Sequence, residues 1–125
     1  MDYSQLSDFE INKRVAICIH PEIRDWNCYD VSGRACFVIN ENTRKRVQFG
    51  FSFTTNPADA WPIMTENKIS VMWMTAEKQW CAWANGNLEE GCWEWSYCPD
   101  EYHHDDNPLR AAMIVFLMMK ESLHA

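Results

Sequence analysis

Aromatic side chains that share one face of a strand stack on flat ligands, and this 125-residue chain concentrates such side chains in one stretch. Trp93, Trp95 and Tyr97 fall at period two, so a strand projects all three from one face and Glu94 and Ser96 from the other. Trp80 and Trp83 lie just upstream and bracket Cys81 and Ala82. Core packing is the first explanation of a tryptophan, because its side chain buries a large area. The chain carries seven, at 26, 61, 73, 80, 83, 93 and 95, and polar loops flank the last four, so a pocket that stacks a base or other planar ligand is the second. Phosphates on such a ligand need donors, and the amides of a helix start after Asn107, with the Arg110 guanidinium beside them, are the best available. A guanidinium there is either an ion-pair partner of the adjoining acidic loop or an anion donor. The candidate ligand-binding set is Trp80, Trp83, Trp93, Trp95, Asn107 and Arg110.

Catalytic and metal chemistry find less. The chain has no G-x-S-x-G, P-loop, H-E-x-x-H or Rossmann fingerprint, and six cysteines with four histidines single out no Cys–His nucleophile pair. The expectation is a protein that is not an enzyme, with no catalytic residues and no cofactor. Cys92 and Cys98 followed by His103 and His104 are the nearest approach to a zinc set, but five residues between the cysteines and two adjacent histidines fit no standard knuckle. No export signal is evident in the polar, acidic first residues, so free thiols are expected for all six cysteines, with no metal.

Acidic groups outnumber basic ones by 18 to 11, a formal charge of −7, which argues against direct nucleic-acid binding through phosphate neutralisation. The surplus is local. Between Gln79 and Leu109 there is no Lys or Arg, while Glu89, Glu90, Glu94, Asp100, Glu101, Asp105 and Asp106 account for the whole imbalance. Such a block is a solvated loop or, alternatively, a face for a basic partner. The one concentrated basic run, Arg44-Lys45-Arg46, follows the turn residues Asn40-Glu41-Asn42 and reads as solvated. No apolar run reaches the length of a membrane span.

The elements that position these residues are legible as local signals. Ser7 and Glu10 form a capping box, Leu6 and Ile11 a hydrophobic staple, and Ile11, Val15 and Cys18 an apolar stripe, predicting a helix over 7–20 that Pro21 ends. Strands are expected at 26–31 and 35–40 about a Ser32-Gly33 turn, then at 47–54 with Val47, Phe49, Phe51 and Phe53 on one apolar face. A second helix at 59–67 takes Asp59 as its cap, with Pro62 in its first turn. Strands at 69–75, 79–84 and 92–97 precede an acidic loop at 99–107, and Asn107-Pro108 starts a helix over 108–121 that is apolar nearly all round. The expected fold is α+β, one domain over 1–125 with three helices packed on a mainly antiparallel sheet.

Three segments together resemble the NinX-type proteins encoded in the nin region of lambdoid phages: YSQLSDFEINKRVA at 3–16, NPADAWPIMTENKIS at 56–70 and NPLRAAMIVFLMM at 107–119. The stretch from Val71 to Asp106 fits that pattern least. The resemblance implies phage origin, the host bacterial cytoplasm and an accessory role, and it carries over no catalytic residues. Two readings follow. One is a counter-defence protein that binds or sequesters a small nucleotide-like ligand in an aromatic-lined pocket. The other is an acidic inhibitor or nucleic-acid mimic that occupies the basic surface of a host protein. Oligomeric state is left open by the sequence.

Overall fold

The computed structural model of the chain describes residues 2–85, 87–88, 95–97 and 101–122, with the backbone alone described at 87–88, 95–97 and 122. Helix α1 spans Asp8–Ile19 and starts as its capping residues dictate: the Ser7 hydroxyl oxygen accepts the Glu10 amide at 3.2 Å and donates to the Glu10 carboxylate at 3.2 Å. Asp8 and Glu10 in the first turn face the positive end of the helix dipole. A 3-10 turn, Pro21–Ile23, follows. Strands β1 (Asn27–Val31) and β2 (Arg34–Ile39) form a hairpin about Ser32 and Gly33, both at positive φ, as a two-residue turn of the primed type requires. The Asp30 carboxylate closes that turn by accepting the Gly33 amide at 2.8 Å.

Strand β3 (Val47–Phe51) completes a three-stranded antiparallel sheet in the order β1-β2-β3. It is shorter than its alternating pattern suggests: Phe53 and Thr54 have left the strand for the turn into α2. Helix α2 spans Pro57–Glu66, beginning two residues before the expected start. Its cap is Asn56, whose side chain accepts the Ala58 amide at 3.0 Å, and not Asp59, whose carboxylate instead accepts the Ser52 amide at 3.1 Å. Pro57 therefore takes the first helical position, and Pro62 lies in the helix interior beyond the first turn, where its ring removes one backbone hydrogen bond.

The second half builds another sheet. β4 (Ile69–Met74), β5 (Gln79–Ala84) and β8 (Glu101–Asp105) pair antiparallel in the order β4-β5-β8, and β6 (Asn87–Leu88) pairs with β7 (Trp95–Tyr97). The fold is α+β, as expected, with its strands divided between sheets. The stretch expected as an acidic loop at 99–107 contains a strand. β8 alternates Glu101, His103 and Asp105 on the face shared with Ala82 against Tyr102 and His104 on the other, and the unpaired edge of β5 recruits it.

Helix α3 (Pro108–Ser122) lies on this second sheet, α1 lies on the first, and the two helices pack against each other, with α2 beside α3 and β4. The result is a sheet–helix–helix–sheet order with α3 at the centre. Every residue from Ala111 to Leu117 is buried, which is where a helix apolar on all sides has to go. Leu117 is completely enclosed, so Leu117→Ala is expected to lower unfolding stability by about 2–5 kcal/mol, read from thermal or denaturant unfolding. An unchanged transition would contradict this placement of α3.

Candidate functional site

Four of the six candidate ligand residues, Trp80, Trp83, Asn107 and Arg110, have their places in the fold fixed, the two tryptophans for a simple geometric reason. Trp80 and Trp83 are three positions apart on β5, so they project from opposite faces. Trp80 sits opposite Trp73 and Asp105, on the face that carries Ala82 and Ala84 into the core, and meets Trp73 edge to face with ring centroids 5.6 Å apart. Trp83 sits opposite Ser70 and Tyr102 on the other face and is only 8% exposed. No single pocket uses both rings. Trp93 lies outside the described residues, and Trp95 is described only by its backbone place in β7, opposite Leu88.

Asn107 is the cap of α3. Its side-chain oxygen accepts the amides of Leu109 and Arg110 at 2.9 and 3.2 Å, so two donors that a phosphate would need are already occupied. Its side-chain nitrogen donates to the carbonyl of Thr54 at 2.7 Å. Arg110 takes the ion-pair alternative. Nε donates to Asp105 at 3.0 Å, Nη1 to Asp8 at 2.6 Å and Nη2 to the carbonyls of Leu6 and Ser4 at 2.6 and 3.4 Å, leaving the side chain 15% exposed. Its planar fork fastens the chain start, the end of β8 and the first turn of α3 together. His103 faces the same cluster, 3.9 Å from Asp105, with its Nε2 buried and unpartnered; burial pushes its pKa below the ordinary value, and Asp105 pulls the other way.

Among the described residues no three His, Cys, Asp or Glu side chains converge as a metal site, and Cys18, Cys28, Cys36 and Cys81 are free thiols. Cys92 and Cys98, the cysteines of the zinc-like spacing, lie outside the described residues.

A different site appears where the last turns of α1 and α3 run side by side. A groove of about 610 Å³ is lined by Arg14, Ile17 and Cys18 of α1, Pro21 and Arg24 of the following turn, and Lys120 and Glu121 of α3. Cys18, expected on the buried stripe of α1, is exposed here; the buried positions are Ile11, Asn12, Val15 and Ala16. Three cations face one carboxylate in a chain whose net charge is −7. Arg14 Nη1 holds both Glu121 oxygens, at 2.9 and 3.2 Å. Arg24 and Lys120 have no ion-pair partner among the described residues; Lys120 Nζ lies 5.6 Å from the centroid of the Phe116 ring. Partial burial raises the Cys18 thiol pKa, as does Glu121, while Lys120, Arg24 and Arg14 all act against the shift. The groove adjoins the carbonyl ends of two helices, which favour cations, so an anion entering it is held by side chains alone. Ile17, Cys18 and Pro21 supply an apolar wall.

The family model described as bacteriophage P22 NinX matches residues 2–120. The chain belongs to this family. Membership makes it a phage accessory protein, and the matched span covers Arg14, Arg24 and Lys120 as well as the tryptophan- and cysteine-rich stretch at 71–106. No curated protein and no solved structure matches it. In this NinX-family chain no helix among the described residues is long and apolar enough to cross a membrane. The groove residues sit 10 and 96 positions apart and share no motif, so only the packing of α1 on α3 unites them.

Because four N–H groups of Arg110 are already committed, Arg110→Ala is expected to act on the fold. It strands the carboxylates of Asp105 and Asp8, with a loss of about 1–3 kcal/mol in unfolding stability. A mutant that melts with the parent but loses a ligand would restore Arg110 as an anion donor.

Proposed function

We propose that this NinX-family protein is a non-enzymatic counter-defence protein that sequesters a small, anionic, nucleotide-like ligand in the groove between α1 and α3. The observation that carries the reading is the convergence of Arg14, Arg24 and Lys120 on one groove of an otherwise acidic chain, with Arg24 and Lys120 free of ion-pair partners among the described residues. The volume is of the size that small-molecule sites have. Guanidinium and ammonium groups supply charge-assisted donors for phosphate, and the Ile17–Cys18–Pro21 wall accepts the flat apolar face of a base. Sequestration requires affinity and no chemical step, and burial raises the pKa of the Cys18 thiol in the groove, which disfavours the thiolate that a nucleophile needs.

The groove supports this reading better than the aromatic stretch does, because Trp80 and Trp83 face opposite ways and the donors at Asn107 and Arg110 are engaged in the fold. The acidic-inhibitor alternative draws less from the described residues. Asp105 is neutralised by Arg110, and Asp106 accepts the Gln79 side chain at 3.4 Å.

The test is calorimetric titration with a panel of mononucleotides and cyclic dinucleotides, alongside melting curves. A binding nucleotide should raise the melting temperature, and Arg24→Ala and Lys120→Ala should each weaken it about tenfold, about 1.4 kcal/mol, with stability unchanged. Binding should also fall as salt rises. A panel with no binder, combined with salt-sensitive binding to a basic host protein, would overturn the groove in favour of the acidic face.

A further inference from the structure

We propose that the free edge of β3 is a docking strand for an extended, acidic peptide segment of a partner protein, which adds to the first sheet as a fourth, antiparallel strand. Among the described residues β3 lies at the end of the order β1-β2-β3, so alternate residues along it direct backbone N–H and C=O groups away from β2. Free edges are ordinarily blunted by charge, proline or cover. Here Val47, Gln48, Phe49 and Gly50 are all exposed, and none of the five strand residues is charged. Val47 and Phe49, 40% and 48% exposed, share one face with Phe51, on the side of the sheet that packs on α1 but at its uncovered rim. Trp26 stacks on Phe49 at 5.8 Å and His20 lies against Phe51 at 5.7 Å, so the edge is backed by an aromatic shelf. Backbone donors and acceptors beside an apolar shelf are what strand addition uses: the ladder gives affinity and alternate side chains give selectivity.

Charge specifies the occupant. Residues 42–58 contain Arg44, Lys45 and Arg46 and no acid, in a chain of net −7. All three are exposed on the turn that leads into β3; Arg46 donates to Gln48 at 2.6 Å, and Arg44 and Lys45 have no side-chain partner among the described residues. The first sheet is antiparallel throughout, and an added antiparallel strand would bring its C-terminal end beside that turn. The partner segment therefore carries apolar side chains at alternate positions followed by Asp or Glu. A second copy of this chain fits less well: its own β3 would bring no acid to the basic turn.

The experiment is selection from a displayed library of random decapeptides on the full chain, followed by affinity measurement and amide hydrogen exchange with the selected peptides. The expected result is enrichment of alternating apolar sequences with a C-terminal acid, together with slowed exchange in residues 47–51. Simultaneous Arg44→Glu, Lys45→Glu and Arg46→Glu exchanges alter only exposed side chains, and should weaken these peptides at least tenfold without lowering the melting temperature. Phe49→Ala should weaken them while leaving nucleotide binding at the α1–α3 groove as it was. No enriched peptide, exchange slowed elsewhere, or affinity unmoved by the charge reversal would each overturn the proposal. So would a doubling of mass with residues 47–51 protected in the absence of peptide, which would assign the edge to a second copy.

Discussion

A buried peptide group has to be hydrogen-bonded, and the way this is done at Thr54 holds the two halves of the molecule together. Thr54 is fully enclosed where the chain leaves the first sheet for α2. Asn12 of α1, itself fully buried, accepts its amide at 3.1 Å and donates to its hydroxyl at 3.3 Å and to the Gly33 carbonyl at 2.8 Å; Asn107, the cap of α3, donates to the Thr54 carbonyl at 2.7 Å. Two asparagines from opposite halves thus satisfy one residue. Leaving any of these groups without a partner costs about 1–3 kcal/mol, a large fraction of the roughly 5–15 kcal/mol by which a native domain is stable. The register of α1 against α3 follows from that knot, and with it the groove formed by their last turns.

The knot explains why the strongest functional signals at the start of α3 are structural. A helix start with Asn, Pro and a nearby Arg is good anion-binding chemistry, yet the same groups are also the means by which a central helix is fastened to its surroundings. Asp8, Asp105 and the chain start fill the Arg110 fork, and the Asn107 oxygen fills the helix amides. At the opposite ends of α1 and α3, Glu121 meets Arg14 while Arg24 and Lys120 keep their charge available.

What was legible in the sequence is what short range decides. Capping needs partners within three residues, so Ser7 and Asn107 mark their helices correctly, and the Ser32-Gly33 turn declares its hairpin. Asn56 and Asp59 are both good caps three positions apart, and only the tertiary demand of the Ser52 amide decides between them. β8 is not legible in the sequence because Glu-Tyr-His-His-Asp has the composition of a loop and becomes a strand by pairing with β5. The opposed faces of Trp80 and Trp83 were readable from period two alone. The groove was not, because Arg14, Arg24 and Lys120 meet only after folding.

The central claim is that a nucleotide-like anion enters the α1–α3 groove and leaves the tryptophan strands alone. Amide and indole chemical-shift mapping of the full chain, during titration with a binding nucleotide, tests it most directly. Saturable shifts confined to residues 14–24 and 118–121 are expected, with the Trp80 and Trp83 indole signals unmoved. Shifts of those indoles, with the groove amides silent, would contradict it.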